Sequence, residues 1–233
     1  MKKIYLVGII CLFLIILIII ETLFTKEKKQ LTFLSTQKPH NHLLNLSKKA
    51  NVQFIKENNL LQPWNDSDTE CELYYLTLIK PGRSESIQSI RRDANMNTNI
   101  HLKLILNNEK IDKKVLKSIV KYYYDVVKPS VYWLKFHYNR VRPFFLEKEV
   151  GNKFGIKIPD HPSYPSAHAT DSYFFGYCLS KITKNNKFLK EADNIAYRRE
   201  LIGMHYPSDS EYGHFLGKFF ADDWFKKNKV NST

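Results

Sequence analysis

The sequence is poor in cysteine and contains no pattern typical of a structural metal site. Its three cysteines are Cys11, Cys71 and Cys178, and no Cys-x-x-Cys pair occurs. The sequence therefore predicts neither a zinc site nor a disulfide framework. Cys71 and Cys178 could pair in an oxidising compartment, but we favour Cys178 as a buried apolar residue within a helix.

Acidic residues are scarce relative to basic ones. Lys and Arg outnumber Asp and Glu by 36 to 23, which gives a formal net charge of +13. Such a balance favours anionic partners, which include phosphorylated small molecules, anionic lipid surfaces and nucleic acid. Because the lysines are scattered and no nucleic-acid-binding motif is present, we predict no nucleic-acid partner.

Patterns typical of β-strands are absent, so we expect an all-α fold, a helical bundle. No alternating run of β-branched residues and no Asn-Gly hairpin turn occurs. Apolar residues recur at helical spacing from Ile111 to Val127, and we expect Pro129 to end that helix. Residues 64–83 are predicted to be irregular, because Pro81-Gly82 marks a turn. Further helices are predicted over residues 169–182, 188–203 and from Ser208, as N-cap, to about residue 225.

The chain begins with one apolar segment. Ile4 to Ile20 is a run of 17 uncharged residues, preceded by Lys2-Lys3, and this length is at the short end of what a membrane-spanning helix needs. We predict an uncleaved signal anchor over residues 1–25, because no small-x-small cleavage pattern follows. A cleaved signal peptide, which would give a secreted or periplasmic protein, is the alternative.

The anchor predicts the organisation of the rest of the chain. A polar linker is expected over residues 26–42 and a helical domain over residues 43–228. A short N-terminal tail usually stays in the cytoplasm. We therefore expect a single-pass membrane protein whose domain lies outside the cytoplasm or in a lumen.

Three short clusters of polar residues stand in a fixed order in the C-terminal half. Together they supply three cations, two imidazoles, a hydroxyl and a carboxylate, which are the groups needed to bind a phosphate dianion and cleave its ester bond. They are Lys135 with Arg142-Pro143, Pro165-Ser166-Ala167-His168, and Arg199 with His205 and Asp209.

Each cluster taken alone has a structural alternative. Lys135 and Arg142 could form a solvated basic face, Ser166 could cap a helix, and His205 could belong to a helix-terminating turn. The joint order of the three clusters favours one shared phosphate site over three unrelated structural features.

The cations of the clusters suit phosphate binding. Arg142 and Arg199 can each donate to two phosphate oxygens, and Lys135 adds a point charge. If residues 131–140 are helical, Lys135 and Arg142 lie seven positions apart on one face. We expect Pro143 to end that helix near Arg142.

The remaining residues suit catalysis. The Ser166 hydroxyl and the Ala167 backbone N–H could bind phosphate at a helix N-terminus. Asp209 can accept the N–H of His205 and leave the other ring nitrogen free to attack phosphorus. His168 would protonate the leaving alkoxide and later activate the water that hydrolyses the phosphohistidine.

The three clusters resemble the signature motifs of the type 2 phosphatidic acid phosphatase (PAP2) superfamily. This superfamily includes class A acid phosphatases, lipid phosphate phosphatases, glucose-6-phosphatase and vanadium haloperoxidases. The resemblance spans Lys135 to Asp209 and implies an all-helical core, a phosphohistidine intermediate at His205, His168 as general acid, and no metal requirement. It also implies phosphate binding by Lys135, Arg142, Ser166, Ala167 and Arg199.

Two residues depart from the family pattern. Ala167 stands where the family usually has glycine, and its Cβ would crowd the phosphate if the position required a positive φ. Arg198 stands where the family has serine, and this additional cation could tune substrate preference.

We therefore expect a membrane-anchored, metal-independent phosphatase without a cofactor. Its substrate would be a phosphomonoester, either a phosphorylated small molecule or a lipid phosphate. One alternative is a vanadium-dependent haloperoxidase, in which the same pocket holds vanadate. The other is a catalytically inactive relative that binds phosphorylated ligands. The sequence indicates no oligomeric state.

Overall fold

The prediction of an all-α fold is confirmed over the part of the chain described by our computed structural model. That part comprises residues 39–79, 111–150 and 159–229, with the isolated positions Thr32, Gln88 and Ile156. The predicted anchor and the predicted linker up to residue 38, apart from Thr32, lie outside it. Among the described residues, no helix has the length and apolar character needed to cross a membrane.

The helices are numbered here in chain order. Short 3₁₀ turns also occur at Asp66–Asp68 and Lys148–Val150. The predictions of helices over residues 169–182, 188–203 and 208–225 are confirmed, with ends that differ by one to three residues. The helices are α1 Asn41–Ser47, α2 Val52–Glu57, α3 Thr69–Leu78, α4 Lys113–Tyr122, α5 Lys128–Tyr138, α6 Pro143–Leu146, α7 Ala167–Thr183, α8 Lys187–Leu201 and α9 Pro207–Asn228.

The chain remains helical from α4 into α5, so the prediction that Pro129 ends this helix is wrong. A π-helical turn, Tyr123–Val127, joins the two α-helical parts. Pro129 follows this wider turn and lies in the first turn of α5, where a missing backbone N–H is tolerated. As a consequence, α5 extends far enough to carry Lys135.

The prediction of irregular structure over residues 64–83 is wrong for its described part. The side chain of Asn65 accepts a hydrogen bond from the backbone N–H of Ser67 (3.2 Å) and starts a 3₁₀ turn that leads into α3. Glu70 and Glu72 lie in the first turn of α3, where the helix dipole favours negative charge. Apolar residues are spread around this helix rather than confined to one face, so periodicity does not reveal it.

Helix α7 lies at the centre of the described fold. Most of its side chains are buried, and it packs against both α8 and α9. Aromatic side chains from three helical segments fill the space beside it, because large rings bury much apolar area. They include Tyr123, Phe174, Phe175, Phe220 and Trp224.

Two glycines of α9 permit its close approach to α7. A Cβ at Gly213 would lie 2.7 Å from Cβ of Ala169, and one at Gly217 would lie 2.6 Å from Cβ of Tyr173. Both distances are shorter than van der Waals contact allows. The absence of side chains at these positions therefore sets the spacing between α7 and α9, whose N-terminal ends carry residues of the second and third clusters.

We expect Gly213→Ala to lower the free energy of unfolding by about 1–3 kcal/mol, because the added methyl group pushes α9 away from the α7 backbone. Urea denaturation of the full-length protein measures this change. Gly176→Ala is the matched control, since its Cβ would meet Phe188 O at 3.2 Å and Leu189 Cδ2 at 3.4 Å. The gain in helix propensity of up to about 1 kcal/mol should keep that variant near wild type. Equal losses in both variants would contradict this account.

Candidate active site

His205 and Asp209 are in hydrogen-bonding contact in the candidate active site. His205 lies in the turn between α8 and α9, and Asp209 lies in the first turn of α9. The Nδ1 atom of His205 lies 3.0 Å from Oδ2 of Asp209, and both residues are buried. The same Oδ2 accepts the backbone N–H of Tyr206 at 3.1 Å. Asp209 therefore holds the imidazole and begins α9 at the same time.

The prediction that Ser208 caps this last helix is wrong. Tyr206 occupies the N-cap position and Pro207 the first helical position. The carboxylate of Asp209, at the third helical position, accepts the N–H of Tyr206, which is one half of a capping box. Ser208 lies one residue inside the helix.

Arg142 defines the tautomer of His205. Its Nη1 lies 3.4 Å from Nε2 of His205 and donates to the carbonyl of Met204 at 2.6 Å. Because a guanidinium has only donors, the Nε2 atom in this contact is the unprotonated nitrogen. The proton of the imidazole is then on Nδ1 and faces Asp209, while the lone pair of Nε2 faces the cation.

Lys135 and Arg142 do not share a helix face, contrary to the prediction. Helix α5 ends at Tyr138 with Asn139 in the left-handed region (φ 55°), and Arg142 has extended backbone at the N-cap of α6, where Pro143 begins rather than ends a helix. The two cations converge instead on one loop, residues 161–163.

The carbonyl groups of this loop hold both cations. Lys135 Nζ donates to the carbonyls of Pro162 (2.8 Å) and Ser163 (2.9 Å). Arg142 donates through Nε to the carbonyl of His161 (3.1 Å) and through Nη2 to that of Pro162 (3.3 Å). Carbonyl groups of the loop that precedes the second cluster thus bind the two cations of the first cluster.

The second cluster forms the start of α7. Ser166 is its N-cap and its Oγ accepts the backbone N–H of Ala169 at 3.3 Å, so the capping interpretation of Ser166 is correct. His168 follows in the first turn and is partly exposed. The backbone N–H of Ser166 donates to the carbonyl of Asp209 at 2.9 Å, which joins the second cluster to the third.

The backbone conformation of Ala167 accommodates its Cβ. Ala167 is the first residue of α7 and is not among the described residues with positive φ. An alanine therefore fits this position without backbone strain.

Arg199 completes a buried group of positive charges. It lies near the end of α8 with 2% of its surface exposed. Burial and the charges of Arg142, Lys135 and Arg199 hold the pKa of His205 well below 6.5. Burial and the charge of Arg199 lower the pKa of Arg142 to about 9. Burial and Arg142 likewise hold the pKa of Lys135 well below 10.5.

A comparison with protein families agrees with this geometry. Residues 114–226 match the sequence model of the PAP2 superfamily. This segment of the chain belongs to the PAP2 superfamily. The match contains all three clusters and the helices α5 to α8. A search of curated proteins returned no significant match to the chain.

Members of the PAP2 superfamily are generally phosphatases. The family membership therefore supports a phosphatase-type function for this chain. No group of three or more His, Cys, Asp or Glu side chains that could hold a metal ion occurs within the described ranges. Metal independence stays a prediction.

Two residues that contact the clusters, and a third that contacts one of these two, are not predicted from the sequence. The Nη1 atom of Arg140 lies 2.8 Å from Oδ1 of Asp209. Glu72, in α3, lies 2.8 Å from Arg140. His161 Nδ1 lies 3.1 Å from Nη2 of Arg142. Only the position of Arg140, two residues before Arg142, could have suggested a role, because Glu72 is distant in sequence and His161 belongs to no motif.

The structure gives Arg198 a defined partner. Its Nη2 donates to Oε1 of Glu191 at 2.8 Å, across two turns of α8. This contact binds the additional cation to a partly exposed carboxylate on its own helix.

We expect His205→Gln to make the folded protein less sensitive to acid. Because the pKa of His205 is lowered in the folded state, only the unfolded chain takes up a proton there as the pH falls below 6.5, and this destabilises the fold. Between about pH 7.5 and about pH 5, the variant should lose about 2 kcal/mol less unfolding free energy than wild type.

Urea denaturation in phosphate-free buffer at the two pH values measures this difference. The exposed His42, changed to Gln, is the control and should retain the acid sensitivity of wild type. An acid sensitivity of His205→Gln equal to that of wild type would show that His205 titrates normally in the folded protein.

Proposed function

We propose that this protein is a metal-independent phosphatase that hydrolyses phosphomonoesters through a phosphohistidine intermediate at His205. The main support for the proposal is the orientation and tautomer of the His205 ring. Its Nδ1–H is held by buried Asp209, and its Nε2 lone pair faces Arg142 in a buried group of cations. A nucleophile directed toward positive charge is suited to an anionic electrophile such as phosphorus in a phosphate group.

The phosphate would be bound by the three cations and by the start of α7. Lys135, Arg142 and Arg199 are held close together although their charges repel, and a bound dianion would relieve that repulsion. The Ser166 hydroxyl and the Ala167 N–H lie at the N-terminus of a 17-residue helix, where backbone donors and the helix dipole favour an anion.

In the first step, Nε2 of His205 attacks phosphorus and the bond from phosphorus to the ester oxygen breaks. His168 gives its proton to the leaving alkoxide, and the alcohol departs. The imidazole of His205, now phosphorylated at Nε2 and protonated at Nδ1, carries a positive charge that Asp209 balances. The cations stabilise the equatorial oxygens as charge develops on them.

In the second step, water replaces the alcohol. Neutral His168 takes a proton from this water as it attacks phosphorus, and the bond from phosphorus to Nε2 breaks. Inorganic phosphate leaves, His205 is again neutral with its proton on Nδ1, and His168 again carries its proton. His168 is partly exposed as a residue, but its Nε2 atom is shielded from solvent, so in this step it would act on water bound within the site.

The setting of the enzyme is part of the proposal. The apolar run Ile4 to Ile20 supports attachment to a membrane, with the domain outside the cytoplasm, and the net charge of +13 supports an anionic substrate or surface. Phosphorylated small molecules and lipid phosphates share the phosphomonoester group that the site would bind. The predicted chemistry needs no cofactor.

We expect His205→Ala to reduce phosphatase activity to background, because no other described group takes the place of Nε2 as nucleophile. The full-length protein in detergent is assayed with EDTA on p-nitrophenyl phosphate, phosphatidic acid, prenyl pyrophosphates, nucleotides and sugar phosphates. Brief incubation of wild type with ³²P-labelled substrate and a denaturing quench should trap an acid-labile phosphoenzyme that His205→Ala lacks.

Full activity of His205→Ala would refute the proposed nucleophile, and loss of wild-type activity in EDTA would refute metal independence. Halide oxidation with added vanadate and peroxide, without phosphatase activity, would identify the haloperoxidase alternative. Phosphate binding by wild type without any turnover would identify an inactive relative.

We expect His168→Ala to affect substrates according to their leaving groups. For an alkyl phosphate, whose alkoxide must be protonated as it leaves, kcat/KM should fall by about 10²–10⁴-fold. For p-nitrophenyl phosphate the decrease should be much smaller, because its phenolate leaves without a proton. The exposed His137, changed to Ala, is the control. Equal decreases for both substrates would contradict a general-acid role.

A further inference from the structure

A carboxylate from outside the matched PAP2 segment reaches the candidate active site. Glu72 lies in α3, and its Oε2 is 2.8 Å from Nη2 of Arg140. Its Oε1 accepts the backbone N–H of Ser208 at 2.7 Å, and its Oε2 accepts the Ser208 hydroxyl at 3.0 Å. Glu72 therefore holds both a buried cation and the first turn of α9.

Arg140 connects this carboxylate with that of Asp209. Its Nη1 donates to Oδ1 of Asp209 at 2.8 Å and to Oγ of Ser208 at 2.8 Å. Its Nη2 donates to Glu72 on the other side. The guanidinium stacks 3.7 Å from the ring centroid of Tyr206 and 4.8 Å from that of Trp64. With 3% of its surface exposed, Arg140 is fixed between the two carboxylates.

The two oxygens of Asp209 have different partners. Oδ1 binds Arg140, whereas Oδ2 binds His205 Nδ1 at 3.0 Å and the N–H of Tyr206 at 3.1 Å. Asp209 is fully buried, so water does not screen these contacts and each charge acts strongly on the next. The charges alternate in sign along Glu72, Arg140, Asp209 and the imidazole of His205 when the imidazole is protonated or phosphorylated.

We propose that Glu72 and Arg140 are positioning residues that set the basicity of His205 through Asp209. This proposal rests on His205 as the nucleophile of the proposed function. The positive charge of Arg140 partly neutralises the carboxylate of Asp209, so Asp209 stabilises a cationic imidazole of His205 less strongly. His205 then stays neutral for attack, and its phosphorylated form is a better leaving group in the second step. Glu72 limits this effect by partly neutralising Arg140.

Besides Arg140, five charged or titratable groups act on His205, and neither proposed substitution removes them. They lie in α5, at the N-cap of α6, near the end of α8, in the first turn of α9 and in the loop before α7. They are Lys135, Arg142, Arg199, Asp209 and His161.

The proposal predicts opposite effects for the two positions. Arg140→Gln removes a positive charge near Asp209, so the pKa of His205 should rise and the acid limb of the kcat/KM profile should move upward by on the order of one pH unit. Glu72→Gln leaves Arg140 without its second partner, so the pKa of His205 should fall and the acid limb should move downward. Arg140→Lys restores the charge without the fork of donors, so it should restore the wild-type acid limb with a lower kcat.

The measurements use the full-length protein in detergent. The kcat/KM profile with p-nitrophenyl phosphate is recorded between about pH 3 and about pH 8, so that the acid limb is reached although the pKa of His205 is well below 6.5. The titration of His205 is followed by NMR with ¹⁵N-labelled histidine and assigned from the spectrum of His205→Gln. Glu191→Gln is the matched control, because it breaks an Arg–Glu ion pair of the same length, 2.8 Å, with Arg198 instead of Arg140. It should leave both the profile and the titration as in wild type.

Opposite shifts in Arg140→Gln and Glu72→Gln would support the proposal. Shifts in the same direction, or lower kcat without any shift, would overturn it in favour of a purely structural role. Melting temperatures identify a variant that fails to fold, and Arg140→Lys then tests the same charge. If wild type lacked phosphatase activity, the proposed function would fail, but the NMR titration would still decide whether Glu72 and Arg140 act on His205.

Discussion

The buried carboxylate of Asp209 is the interaction on which the rest of the site depends. One oxygen binds His205 and the backbone of Tyr206, and the other binds Arg140. Its own backbone carbonyl accepts the N–H of Ser166. The same residue therefore starts α9, joins α9 to α7, selects the tautomer of the histidine and balances nearby positive charge. Any replacement side chain must satisfy three donors in a space without water, because unpaired buried polar groups are costly.

The cations around Asp209 impose a second constraint, since three of them are buried close together. Burial and mutual repulsion lower the pKa values of Lys135 and Arg142, although both side chains donate to backbone carbonyls of the loop at residues 161–163. The arrangement is consistent with the proposed phosphate site, because a bound phosphate would supply negative charge to these cations. A fold selected for stability alone would not keep these charges together.

The sequence predicts the helical class and most of the residues that meet at the candidate site, because both depend on local patterns. Three helices and the capping role of Ser166 follow from periodicity and residue type. Pro129 and α3 were mispredicted because a π-helical turn and a helix without an apolar face leave no such pattern. The positions of Lys135 and Arg142 also required the structure, since a left-handed residue, Asn139, separates them. Contacts such as Glu72–Arg140 join residues that are far apart in the sequence, and no local sequence pattern predicts them.

The contact between Glu72 and Arg140 shows that residues outside the three clusters also shape the candidate site. The clusters contain the groups proposed to touch the phosphate, but the electrostatic environment of His205 includes charges that they do not contain. Glu72 reaches the site from α3, outside the segment matched by the family model. Under the proposed mechanism, a change in α3 would alter the protonation of His205 without changing any cluster residue. The same three clusters, placed beside different outer helices, would then operate at different pH, because buried charges act through the packing that surrounds them.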